Sequence, residues 1–257
     1  MSYIDIASHK MYYHQSGITG AEVILLHNAG GDHTFLFPQI ETLSPYYRVT
    51  AVDFLGHGNS TKPIPDFLTI HAYAQHIRQL CQELKMNKIT LIGLNYGANV
   101  AVEFFYQYPD IVDKIVMIDP PVLLSDEIKK LISKHLNELG RLSPESYAKD
   151  LVNHSFIKAS DQVREKAYNV FKKTPHETMK AVYSDLLVWD QLYGVKRMSA
   201  LPESVLCLFT DASLCNEETL KKHNQKIMLA RVVASKYWAT LEVPDQVDAM
   251  ILRFLSL

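Results

Sequence analysis

At 257 residues the chain has room for one large α/β domain or two small ones, and its 47% hydrophobic and 21% charged residues are ordinary for a globular protein with a sizeable core. A net charge of −2 with no basic stripe argues against a nucleic-acid partner, and the longest apolar runs, such as "EVILLH", are too short to cross a bilayer. The opening "MSYIDIASHK" has neither the basic nor the apolar region of a signal peptide, and three cysteines (Cys81, Cys207, Cys215) sit at no metal-like spacing. The expectation is a reduced, cytoplasmic protein with no membrane partner, no metal and no cofactor.

In chain order, "YIDIASHKMYYHQSG" alternates and turns as an opening hairpin does, and "AEVILLHN" is a continuous apolar run entering a Gly-bearing loop, as a buried strand should. "YRVTAVDF" reads as the next strand and ends in the turn-rich "LGHGNSTKP". Residues 71–86 carry Ala74, Ile77, Leu80 and Leu84 on one helical stripe. A strand over 88–94 runs into Gly93-Leu94-Asn95-Tyr96-Gly97 and then a helix that stops near Pro109. "DKIVMIDP" is another buried strand. Residues 122–195 are helix-like and more charged throughout, after which "ESVLCLFT" and "KIMLARVVAS" resume the sheet and "PDQVDAMILRFLSL" closes the chain as an amphipathic helix. Strands alternating with helices predict an α/β fold, a mostly parallel central sheet with helices on both faces. Residues 1–121 and 196–257 form the core, with a helical lid (cap) inserted over 122–195 as part of one structural unit.

The runs "VILLHNAGGDHTFLFPQIETLSPYYRVTAVDFLGHGNSTKP", "LIGLNYGANVAVEFFYQYP" and "LEVPDQVDAMILRFL" follow one another as in the α/β-hydrolase fold family, which the chain resembles over nearly its whole length. The resemblance makes the Gly-x-x-x-Gly turn a nucleophile elbow, a strained strand-to-helix turn that presents its middle residue above the N-terminus of a helix. It assigns an oxyanion hole to the backbone N–H groups of Ala29 and Tyr96, with the Asn28 amide facing the same space.

Members of that family use a nucleophile, a base and an orienting acid. The nucleophile position here is Asn95, whose amide donates and accepts hydrogen bonds but does not attack. By the register of the strand "VLCLFT" the acid position is Ser213, with Asp211 two residues early and read as a turn residue. The base position, five residues before Glu242 of Glu-x-Pro, is Tyr237, and no histidine follows His223. Among the other candidates, His27 and His57 are read as structural, and the adjacent Asp32-His33 as a loop or cap pair. Asp119, at the strand end where some dehalogenase-like members carry their acid, has no histidine to orient.

Three functions stay open at this level. The first is a pseudoenzyme, or binder of a small, largely apolar molecule, with a lidded pocket floored by Asn95, Ser213 and Tyr237. The second is a hydrolase or lyase-type enzyme with unorthodox catalysis through the oxyanion hole. The third is a structural protein acting through its surface. Replacing all three positions at once, Asn95→Ser, Ser213→Asp and Tyr237→His, is expected to restore esterase activity.

Overall fold

The computed structural model describes residues 2–6 and 8–257, apart from the side chain of Asp66. Its strands form an eight-stranded sheet in the order β1-β2-β4-β3-β5-β6-β7-β8. They are β1 (Ser2–Ile6), β2 (His9–Ser16), β3 (Glu22–Leu26), β4 (Arg48–Val52), β5 (Ile89–Leu94), β6 (Val112–Ile118), β7 (Val205–Phe209) and β8 (Met228–Arg231). The opening hairpin is antiparallel and pairs Ile4 with Met11, β2 lies antiparallel on β4, and every pairing from β4 to β8 is parallel.

The sheet is buried on both faces, which is why its central strands read as unbroken apolar runs. Along β3 the side chains alternate: Ile24 and Leu26 join the core on one face, while Val23 and Leu25 join the core on the other. Helices cover both faces. Between β3 and β6 these are α1 (Phe37–Leu43), α2 (Ile70–Glu83) and α3 (Tyr96–Gln107). The stripe read over 71–86 is α2, capped by the Thr69 hydroxyl on the Ala72 N–H at 3.1 Å.

Between β6 and β7 the chain is helical: α4 (Asp126–Leu139), α5 (Pro144–Ser155), α6 (Asp161–Lys173), α7 (His176–Trp189), a π turn over Asp190–Gly194, and α8 (Val195–Ser199). After β7 come α9 (Glu217–His223), α10 (Ala239–Glu242) and α11 (Pro244–Leu255). Ser125, Ser143 and Ser160 cap α4, α5 and α6, each with its hydroxyl on a first-turn N–H.

Two carboxylates fasten this helical insertion to the sheet. Asp190 accepts from the N–H groups of Leu123 and Leu124 at 2.6 and 3.1 Å, tying the exit of the insertion to its entry. Glu103 on α3 is buried and accepts from Trp189 Nε1 and Arg197 Nε, both at 2.9 Å. Burial raises the Glu103 carboxyl, but Arg197, Trp189 and Gln107 outweigh it, and the net result lies below the usual carboxylate range. Cys81, Cys207 and Cys215 are buried free thiols. No helix of the described residues is long and apolar enough to cross a membrane.

From β3 the chain moves outward to β4, then returns to place β5 on the other side of β3. That reversal leaves a crevice between the loops leaving the C-terminal ends of β3 and β5, where sheets of this kind place their ligands. His27-Asn28-Ala29 leaves β3 there, and Asn95-Tyr96 leaves β5.

Candidate functional site

The turn after β5 brings backbone against backbone. A Cβ on Gly97 would lie 2.3 Å from the Leu26 carbonyl oxygen, and one on Gly93 would lie 2.4 Å from the Ala98 nitrogen. Between them Asn95 is held at φ 45° and ψ −114°, a conformation that favours glycine and costs about 1–3 kcal/mol for another residue. The turn is locked by the Asn95 N–H on the Ile118 carbonyl and the Ala98 N–H on the Asn95 carbonyl, each at 2.8 Å.

The Asn95 side chain points to Asp119. Its Nδ2 donates to the Asp119 carbonyl at 2.8 Å and lies 3.4 Å from the Asp119 carboxylate. Asp119 follows β6, itself at φ 49°, and its Oδ1 accepts from the Leu214 N–H at 3.1 Å. The carboxyl is fully buried, and burial pushes it up to about 7 despite hydrogen bonding from the Leu214 amide and the Asn95 side chain. Ser213 is turned toward its own loop, with Oγ accepting from the Thr210 N–H at 2.7 Å and donating to the Thr210 carbonyl at 3.1 Å. The carboxylate beside Asn95 is therefore Asp119, a residue that sequence reasoning set aside for want of a partner. Tyr237 feels it too: its phenol is pushed up by burial and then by the charge of Asp119.

Asn28, Ala29, Asn95, Tyr96 and Tyr237 line one chamber of about 90 Å³, while Ser213 does not reach it and is represented there by its neighbour Leu214. The other wall comes from the insertion, with Ile128, Leu131, Ile132 and His135 of α4 and Tyr183 and Leu186 of α7. Among the described residues no acceptor lies on the backbone N–H of Ala29 or of Tyr96, the first residue of α3. One such donor at the N-terminus of α3 and one in the loop after β3 suit a carbonyl oxygen or an oxyanion. The Asn28 amide donates to the Ala29 carbonyl at 3.0 Å, and its oxygen is buried without a partner.

The remaining histidines and acids divide cleanly. His27 Nε2 accepts from the Phe54 N–H at 3.0 Å, so the ring proton belongs on Nδ1, which faces the Asn28 carbonyl at 2.7 Å. Burial holds His27 below the usual imidazole range and His57 down to about 3, so both are neutral spacers of the loops. Asp32 caps the turn that follows it through the Thr34 N–H at 2.9 Å. His33 instead pairs with Asp53, Nδ1 to Oδ1 at 2.7 Å, a long-range contact that adjacency in sequence hides. Asp211, in the turn after β7, accepts from the Ala234 N–H at 2.8 Å, a long-range bond that ties this turn to the loop after β8 rather than a local cap. His135 was not singled out in the sequence, although Ile128, Ile132 and His135 follow a helical stripe that now lines the chamber.

The sequence pattern of the alpha/beta hydrolase fold matches residues 22–193. Over 100 residues the chain is 34% identical to an uncharacterized protein of Mycobacterium tuberculosis, a match that spans 39% of this chain and only 29% of that one. A putative carbamate hydrolase RutD of Caulobacter vibrioides is 26% identical over 186 residues, covering 69% of this chain and 68% of its own. Among solved structures, the enol-lactonase from Burkholderia xenovorans superposes with a TM-score of 0.87 at 18% identity, both chains covered in full. A thermophilic esterase from Thermogutta terrifontis gives 0.82 at 23%, covering 96% of this chain and 93% of that one. At these identities the structural likeness speaks to the fold. With the pattern running from β3 through the elbow and most of the insertion, the chain belongs to the alpha/beta hydrolase fold family.

Proposed function

We propose that this protein binds a small, largely apolar molecule in the chamber beneath a helical lid and does not turn it over by a Ser-His-Asp mechanism. The observation that carries this reading is the amide of Asn95, which occupies the elbow and spends its N–H on Asp119. An uncharged carboxamide there holds a ligand's polar group without attacking it. Tyr237 takes the place of the base, and a phenol raised above its ordinary value of 10 does not accept a proton near neutral pH. The acid place is held by Asp119 rather than left empty, so two functions are missing and one is retained. What remains, a pair of N–H donors over an apolar chamber, suits recognition of a carbonyl-bearing molecule.

A second reading is favoured by one observation: the strained φ of Asn95 sits beside a carboxyl raised to about 7. Strain and perturbed acids gather at working sites, and an enzyme of lyase type would use Asp119 as its acid. A fluorophosphonate probe and a panel of small esters, lactones and carbamates separate the two. The binding reading expects no labelling and rates at buffer background. Turnover abolished by Asn95→Ala, Asp119→Asn or Tyr237→Phe in folded protein would replace it with the second.

A further inference from the structure

The wall that α4 contributes to the chamber is apolar except at the half-buried His135, and a polar ring nitrogen facing Ile128, Leu131 and Ile132 gains free energy from a hydrogen-bond partner. The ring is held from three sides. Its Nδ1 lies 3.3 Å from the Tyr147 hydroxyl and 3.6 Å from Glu138 Oε2. Its face stacks on Tyr183 with centroids 5.8 Å apart and planes 19° from parallel, and the Tyr147 ring meets it edge-on at 6.0 Å. The Glu138 carboxylate lies beyond hydrogen-bond reach of Nδ1, but its negative charge favours the ring proton there, with the Tyr147 hydroxyl accepting it, and this leaves Nε2 an acceptor with no protein partner among the described residues. Burial, helped by Lys134 and His154 and opposed by Glu138 and Asp150, keeps the imidazole below its ordinary range and hence neutral.

We propose that His135 is the chamber's second polar anchor and that the molecule bound is a small hydroxy-carbonyl compound. Its carbonyl oxygen accepts from the Ala29 and Tyr96 N–H groups on the sheet side, and its hydroxyl donates to Nε2 of His135 on the lid side. The apolar body between them packs on Leu131, Leu186 and Trp238. This inference rests on the binding reading above and adds the class of molecule to it.

The test titrates the full chain with 4-hydroxycyclohexanone, 4-methoxycyclohexanone and cyclohexanone, three ketones of one frame that differ in the donor. A hydrogen bond to a buried acceptor predicts that the hydroxy ketone binds about tenfold tighter than the methoxy ketone. His135→Phe, which keeps the stack on Tyr183, should erase that preference. In wild-type protein the imidazole 15N shifts should identify Nε2 as the unprotonated nitrogen and should move with the hydroxy ketone alone, a readout that needs no variant to fold. Equal affinity of the hydroxy and methoxy ketones, or a preference that survives in His135→Phe, would overturn the role of His135 and leave the binding reading standing. Binding of none of the three would overturn both.

Discussion

Replacing Asp119 by Asn fixes a neutral side chain of the same shape in the place of a carboxyl that is fully buried and titrates at about 7. An unfolded aspartate titrates near its ordinary value of 3.8. Below that value both states hold the proton and the group contributes no penalty. As pH rises from there toward 7 the unfolded chain releases its proton while the native state keeps it, so stability falls, and above 7 the loss is complete. About three pH units at about 1.36 kcal/mol each amount to roughly 4 kcal/mol. His57 and His76, held near 3 and 4 by burial, run the other way, because the unfolded chain gains their protons as pH drops below about 6.5. The comparison of Asp119→Asn with wild type cancels those terms. Urea unfolding followed by circular dichroism at pH 4.5, 6.0 and 7.5 should show the variant gaining a few kcal/mol on wild type across the series, most of it before pH 7. A difference that stays constant within about 0.5 kcal/mol would mean that Asp119 is ionised at ordinary values, and the account of its burial would be wrong.

Asn95→Ala keeps the strained turn and loses the hydrogen bond to the Asp119 carbonyl, whereas Asn95→Gly loses the bond but relieves the turn. Glycine should therefore be about 1–3 kcal/mol more stable than alanine at this position by chemical denaturation, and equal stabilities would deny the strain. Glu103→Gln removes the charge that Arg197 faces within the core and should cost about 3–5 kcal/mol in thermal or urea unfolding; a loss under about 1 kcal/mol would show that the clamp between α3 and the insertion carries little. Because Asp119 already supplies a carboxylate, adding Ser213→Asp to Asn95→Ser and Tyr237→His crowds a second one against it, and the triple variant should be less active toward p-nitrophenyl acetate than the double.

The fold was readable because its devices are local. β3 and β5 are mostly apolar, largely branched runs interrupted only by Glu22, Thr90 and Gly93, and Gly93 and Gly97 stand where a Cβ would strike backbone. The boundary of α2 was legible to within a few residues from its stripe, and the structure adds the Thr69 cap. The short α1, α9 and α10 were not, since helices of seven, seven and four residues hold too few turns to show a period. Ala29 and Tyr96 were named through the resemblance, and both line the chamber. The site was not legible where the partner lies far along the chain. Asp119 meets Asn95 only because β5 and β6 are neighbours, and His33 meets Asp53 only through the pairing of β3 with β4. His135 enters from an insertion whose packing no single-sequence pattern displays.

The proposed binding function depends on the elbow, where it assigns Asn95 and Tyr237 to the places of an alcohol and an imidazole beside the Asp119 carboxyl. The direct measurement is active-site labelling by a fluorophosphonate on wild-type protein beside the folded Asn95→Ser, Tyr237→His double variant. The expected result is no adduct on the wild type and one adduct per chain, on residue 95, in the variant. A wild type labelled at a comparable rate, or a folded double variant that stays unlabelled, would contradict it.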